Sequence, residues 1–301
     1  MTDSQNDAGT GPAFHLESPL LDGHTDTLLA LRDTADPVRD FVEGGADAHV
    51  DLPRAAEAGY GGGFFAMFVP NQDRDYEVVE TESGYEVPYA DRVSQERALS
   101  VTVEMLSLLY RLEASTPRFE VARTLEAVES GLDSETVVAI PHLEGAAAVH
   151  PDLSNLDFLY AAGIRSIGLT WSRPNAFGEG VPFVYPSTPD TGEGLTEAGN
   201  ALVDACEDRG ILVDLAHLNS AGFWDVAERS TAPLVVTHAG VHEISPTSRN
   251  LTDDQLDAIA DSGGVVGIQF GVENLRPDGQ QVTDTPISVI VDHVEYVADR
   301  V

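Results

Sequence analysis

The stretch ILVDLAHLNSAGFWDVAERSTAPLVVTHA, residues 211–239, decides the fold. It opens on an apolar run, ILVDLAH (211–217), passes through a helical pattern, SAGFWDVAERS (220–230), and returns to a second run, LVVTHA (234–239). Neither run alternates apolar with polar. Continuous β-branched runs suit strands of a parallel sheet covered on both faces. His217 closes the first run and His238 stands next to last in the second.

Outward from this unit the same alternation continues. Strands are expected at LLDGHTD (20–26), GGFFAMFV (62–69), VVAIPHLEG (137–145), SIGLTW (166–171) and VVGIQF (265–270). Helical patterns separate them, among them LPRAAEAG (52–59), QERALSVTVEMLSLLYRLEAS (95–115), LSNLDFLYAAG (153–163), LTEAGNALVDACEDRG (195–210) and TDDQLDAIADSG (252–263). Several close on Gly, as helix ends do. Repeated βα units mean a doubly wound α/β sheet or a (β/α)₈ barrel. Residues 1–13 read as a disordered polar leader and 14–301 as one domain. The acidic excursion 70–95 reads equally well as a lid over a site or as an exposed hairpin.

Composition narrows the partners. The chain carries 51 acidic residues against 16 basic ones, a formal charge of -35, and its basic residues are all Arg. Such a surface repels nucleic-acid phosphates and anionic membranes, so neither is expected as a partner. The acids are spread along a chain that is 42% hydrophobic, which is too apolar for an acidic disordered protein. The pattern is haloarchaeal-like, suited to molar salt, where a Debye length of roughly 3 Å suppresses self-repulsion. The single Cys206 permits no intrachain disulfide and reads as a core residue. No signal peptide opens the chain and no apolar run approaches the roughly 18 residues of a membrane span, so a cytoplasmic protein is expected.

The chemistry lies where the strands end. His24 and Asp26 close the first run, Glu144 the third, His217 the fifth and His238 the sixth. In a parallel barrel these ends converge on one mouth. His24 and Asp26 stand two apart, so both face one side of a strand. Imidazoles mixed with carboxylates suit zinc or another divalent ion. A lone histidine at a strand end is more often a rim or core residue; several at the same ends of several strands are not. His49 and Asp51, in HVD, imitate this pattern but precede a helix, and read as its N-terminal cap. His142, two residues before Glu144, can face the same side and line the site, His242 falls in the following loop, and His293 looks peripheral.

In order along the chain, LLDGHTD, HLEGA, GLTEAG, LVDLAH and APLVVTHAGVHEISPTSRNLTDDQL, then GGVVGIQF, resemble the renal (membrane) dipeptidase family of amidohydrolase-type barrels, from about residue 16 to 301. The resemblance implies a TIM-type (β/α)₈ barrel that is C-terminally truncated, with seven strands readable and the eighth missing. It implies a dipeptidase with two Zn²⁺ ions, one on His24 and Asp26, the other on His217 and His238, with Glu144 bridging and catalytic. A hydroxide shared by the ions would attack the peptide bond of a dipeptide. Arg249, in SRN, would bind substrate; Trp171 and Asn175 would line it. Mammalian members carry a histidine at the place of Trp171, and the family's last strand carries an aspartate that lies beyond this chain. The likeness also suggests a homodimer. Two other readings stay open: hydrolysis of another small amide by the same ions, and a metal-binding fragment without catalysis.

Overall fold

The computed structural model describes residues 19–45, 47–71 and 78–301. The leader read over 1–13 therefore lies outside the described residues. The strands are β1 (Leu20–Thr25), β2 (Tyr60–Phe68), β3 (Val79–Glu80), β4 (Tyr85–Val87), β5 (Phe119–Val121), β6 (Val137–Glu144), β7 (Ser166–Gly168), β8 (Phe183–Tyr185), β9 (Leu212–Asp214), β10 (Val235–Ala239) and β11 (Val265–Ile268). Seven of them make a parallel wall in the order β1-β2-β6-β7-β9-β10-β11. These are the seven apolar runs. With helices outside, they form a nearly closed α/β barrel of TIM type. Among the described residues no eighth stave stands between β11 and β1.

Several staves stop short of the apolar runs that announced them. SIGLTW leaves the ladder after Gly168, and ILVDLAH leaves it after Asp214. Trp171 and His217 thus sit in turns just past the strand ends, where side chains are free to point into the mouth. β5, three residues long, carries too short a signal to stand out in the sequence. It pairs with the start of β6, on the edge that β7 takes further along.

The core follows from helix periodicity. The helix Gln95–Ser115 starts at Ser94, whose side chain accepts from Arg97 N–H. It buries Ala98, Val101, Met105, Leu109 and Leu112, spaced three and four apart on one face. Cys206 is fully buried in the helix Glu197–Arg209, as a small core residue should be. Asp51 caps the helix Leu52–Ala58 by accepting from Arg54 N–H at 2.9 Å. His293 corrects the peripheral reading: it is fully buried, accepting from Val241 N–H and donating to the Leu275 carbonyl. Among the described residues no helix is long and apolar enough to cross a membrane.

β1 reaches the far end of the wall by close approach rather than by a ladder. A Cβ on Gly23 would stand 2.0 Å from the Thr237 carbonyl oxygen, and one on Gly267 of β11 would stand 1.9 Å from the same atom. Only glycine lets both backbones close on that carbonyl. This sets His24 beside His238. Apolar side chains remain exposed along the same seam, Leu20 and Leu21 on β1 and Val265 and Phe270 at β11.

Of the two readings of the excursion 70–95, the described part forms a hairpin, β3 with β4, joined to β8 in a three-stranded sheet. Residues 72–77 lie outside the described residues. The hairpin walls an open cavity of about 1220 Å³ that Trp171 and Phe183 also line.

Replacing Gly23 by Ala is expected to cost about 1–3 kcal/mol through overpacking and to weaken metal binding at His24. Thermal melts of the variant, and metal titration of the folded protein, check this. An unchanged melting temperature would mean the approach of β1 to β10 is looser than described.

Candidate metal centre

Four strand ends bring three imidazoles and two carboxylates together. Glu144, at the end of β6, is buried and central. Its Oε2 lies 3.7 Å from His24 Nε2, while its Oε1 lies 3.2 Å from His217 Nε2 and 3.8 Å from His238 Nε2. The carboxylate therefore presents one oxygen to His24 and the other to the His217–His238 pair. Asp26 Oδ1 stands 3.7 Å from His24 Nε2. Asp26 occupies the N-cap of the helix Thr27–Arg32 but makes no side-chain cap bond, so its carboxylate is not engaged there.

This donor set fits divalent ions. Ligand atoms of His24, Glu144 and His238 all lie within 4.8 Å of one another. The Nε2 atoms of His217 and His238 approach to 3.0 Å. Each of these rings has its Nδ1 against a hydroxyl, Ser172 Oγ for His217 and Thr237 Oγ1 for His238, both at 2.9 Å. Metal-ligating imidazoles are held in this way through the nitrogen that does not bind. His24 Nδ1 is buried with no hydrogen-bond partner among the described residues.

His217 has φ +64°, in the left-handed region that a non-glycine residue enters at a cost of about 1–3 kcal/mol. Its carbonyl is pinned by Val181 N–H at 2.8 Å. The turn aims the imidazole at Glu144 instead of continuing the β9 ladder.

Titration follows burial and neighbours. Burial alone would depress His24, but the Glu144 carboxylate, then Asp26, outweighs it and lifts the ring to about 9. Burial raises Glu144 to about 7, against the pull of His24. Burial, reinforced by the positive charges of Arg249 and His24, holds His217 and His238 well below the ordinary histidine value. Both offer neutral rings, the form that binds metal.

Arg249 is buried beside the centre and donates through Nη2 to the His238 carbonyl at 2.7 Å. Burial lowers it to about 10. Among the described residues no carboxylate lies within ion-pair distance of it. Trp171 packs its ring on Phe68 and Phe183, with centroids 5.0 and 5.7 Å away, and stands 5.9 Å from the His217 ring. Asn175 uses its amide inside its own loop: Nδ2 donates to Leu169 O, and Oδ1 accepts from Phe177 N–H and Gly178 N–H. His142 is fully buried, with Nδ1 on Ser166 Oγ at 2.9 Å, and burial pushes it down to about 4. His242 holds the Ser187 carbonyl through Nε2.

Two residues of this centre escaped the sequence reading. Asp214 is a buried carboxylate on β9, accepting from Ala216 N–H, Thr237 N–H and Thr237 Oγ1. Thr237 links it to His238. The available signal was a charged residue inside the apolar run ILVDLAH, a position that burial tolerates only with partners.

Known proteins share this fold. The model of the membrane dipeptidase family, peptidase family M19, matches residues 12–301. A solved metallo peptidase from Rhodobacter sphaeroides, liganded with a phosphinate mimic of the dipeptide L-Ala-D-Ala, is 41% identical, with a TM-score of 0.89 over 94% of this chain and 82% of that one. A second solved structure, the dipeptidase AC of family M19, is 42% identical with a TM-score of 0.90 over the same shares. An uncharacterized protein encoded in the PQQ-III 3' region of Acinetobacter calcoaceticus is 37% identical over 94% of this chain and 90% of its own length.

Metal uptake should depend on pH with a definite sign. His24, at about 9, and Glu144, at about 7, hold protons that a metal must displace. Affinity for a divalent ion should therefore rise from pH 6 to pH 9, by up to about tenfold per unit for each proton displaced, and then level off. Calorimetry in buffers of different ionisation enthalpy should register proton release. An affinity flat from pH 6 to 9 would contradict the assignment.

Proposed function

The chain belongs to the membrane dipeptidase family, and on that premise we propose that it is a metallo-dipeptidase hydrolysing dipeptides with a free C-terminal carboxylate. The observation that carries this reading is the pairing of two features at one mouth. Glu144 presents its two oxygens to separate imidazole groups, and Arg249 is a buried cation without a carboxylate partner among the described residues.

The assignment of ligands follows the division of donors. His24 and Asp26 would hold one ion and His217 and His238 the other, with Glu144 offering an oxygen to each. Imidazole with carboxylate favours zinc. When bound, such ions supply Lewis acidity to a carbonyl and lower the pKa of water.

The chain's own residues do the remaining work. Arg249 receives the substrate carboxylate with its planar fork, a geometry that lysine lacks. A buried guanidinium gains most from such a partner, because burial without one is costly. Its bond to the His238 carbonyl ties the carboxylate site to a metal-ligand backbone. Trp171 and Phe183 form an apolar wall for side chains, and Asn175 keeps the Trp171 loop in shape. The formal net charge of -35 suits a cytoplasm of concentrated salt, and a homodimer is the association state we expect.

The test compares dipeptides with their C-terminal amides in molar salt. Chelation should abolish cleavage and zinc should restore it. The free acid should be preferred by about 10–100-fold in kcat/KM, the worth of a hydrogen-bonded charge pair at about 1.5–3 kcal/mol. Replacing Arg249 by Lys should erase most of that preference, chiefly through KM. Equal cleavage of acid and amide, or cleavage that survives chelation, would overturn the reading.

A further inference from the structure

The Asp214–Thr237 pair is not explained by ligand geometry or by substrate binding. Asp214 and Thr237 are both buried, on neighbouring strands β9 and β10. Three donors fix the carboxylate: Oδ1 accepts from Ala216 N–H at 3.1 Å and Thr237 N–H at 2.9 Å, and Oδ2 accepts from Thr237 Oγ1 at 2.7 Å. The Thr237 carbonyl is gripped from the other side by the backbones of Gly23 and Gly267. The hydroxyl therefore has a set position as well as a set partner.

A threonine hydroxyl has one hydrogen. Thr237 gives it to Asp214, since a carboxylate only accepts. Toward His238 Nδ1, 2.9 Å away, the same oxygen can then only accept. His238 must carry its proton on Nδ1, which leaves the Nε2 lone pair facing Glu144 and His217. His217 is held differently. Its Nδ1 meets Ser172 Oγ, and this serine hydroxyl, unlike that of Thr237, has no carboxylate claiming its hydrogen among the described residues. It can rotate to donate or to accept. The 3.0 Å approach of the two Nε2 atoms suits two lone pairs turned to one cation, with the His217 proton then on Nδ1 and Ser172 accepting it.

We infer that Asp214 and Thr237 are positioning residues that lock His238 in its metal-binding tautomer, while Ser172 leaves His217 free to change tautomer as an ion binds. The inference rests on the metal-centre reading above and adds a division of labour within it. Without the relay, a hydroxyl or water could donate to His238 Nδ1 and drive the proton onto Nε2, where it blocks the ligand position.

The test uses Thr237→Val, which keeps the shape and removes the hydroxyl, and Thr237→Ser, which keeps the hydroxyl. Two readouts apply: zinc affinity by competition with a chromophoric chelator, and the ¹⁵N resonances of His238 in the metal-free protein, which report where the proton sits. In the native chain His238 should be the Nδ1–H tautomer. Thr237→Val should mix the tautomers and weaken zinc binding by about 10–100-fold, the usual effect of losing such a partner. Thr237→Ser should retain the native tautomer and most of the affinity. A valine variant with native tautomer and native affinity overturns the relay, and so does a serine variant as weak as the valine one, since packing would then be the cause. If the native chain binds no divalent ion, the metal-centre reading falls and takes the relay with it; if it binds and the variants do not differ, the relay alone falls.

Discussion

Glu144 is a carboxylate with little access to water, and the barrel is arranged around what that requires. Burying a charge is tolerated only when opposite charge or hydrogen bonds replace the lost hydration. Here opposite charge comes from His24 on β1, 3.7 Å from one oxygen, while the neutral rings of the β9 turn and β10 face the other at 3.2 and 3.8 Å, and Glu144 is still pushed up to about 7. No two adjacent strands could provide this. A parallel barrel brings the ends of non-neighbouring strands to one mouth. The demand for convergence then explains local oddities: glycines that let β1 and β11 close on Thr237, and a histidine in left-handed backbone.

The same centre accounts for the placement of positive charge. In a chain with 16 arginines and 51 acids, a surface arginine finds a carboxylate easily, as Arg300 does with Asp253 and Asp257. Arg249 is instead buried, and its guanidinium bonds a backbone carbonyl. An acidic exterior and a buried cation are compatible because the barrel wall separates them. The arginine at the mouth thus keeps its charge apart from the carboxylates of the exterior.

Much of this was legible in the sequence. All seven staves were announced by apolar runs, because a stave covered on both faces must be apolar throughout, and the ligand types at their ends were visible as strand punctuation. The ends themselves were less legible. SIGLTW and ILVDLAH each run past the ladder, since hydrophobicity continues into turns that are buried at the mouth. The short β5 and the β3–β4–β8 sheet left weak signals, being brief and partly exposed. Asp214 and Thr237 were invisible as a pair: they lie 23 residues apart, and their joint role depends on a hydroxyl hydrogen that only the fold assigns. His293 looked peripheral as a lone imidazole in the last helical pattern, yet its ring ties two backbones in the interior.

The most direct measurement is a crystal structure of the zinc-loaded chain with a phosphinate dipeptide mimic, using anomalous diffraction at the zinc edge. Two anomalous peaks are predicted, one beside His24 and Asp26 and one beside His217 and His238. Each should lie about 2.0–2.2 Å from its nitrogen and oxygen ligands, with one Glu144 oxygen on each ion and the mimic's carboxylate on Arg249. Peaks away from Glu144, or a carboxylate bound far from Arg249, would contradict the account.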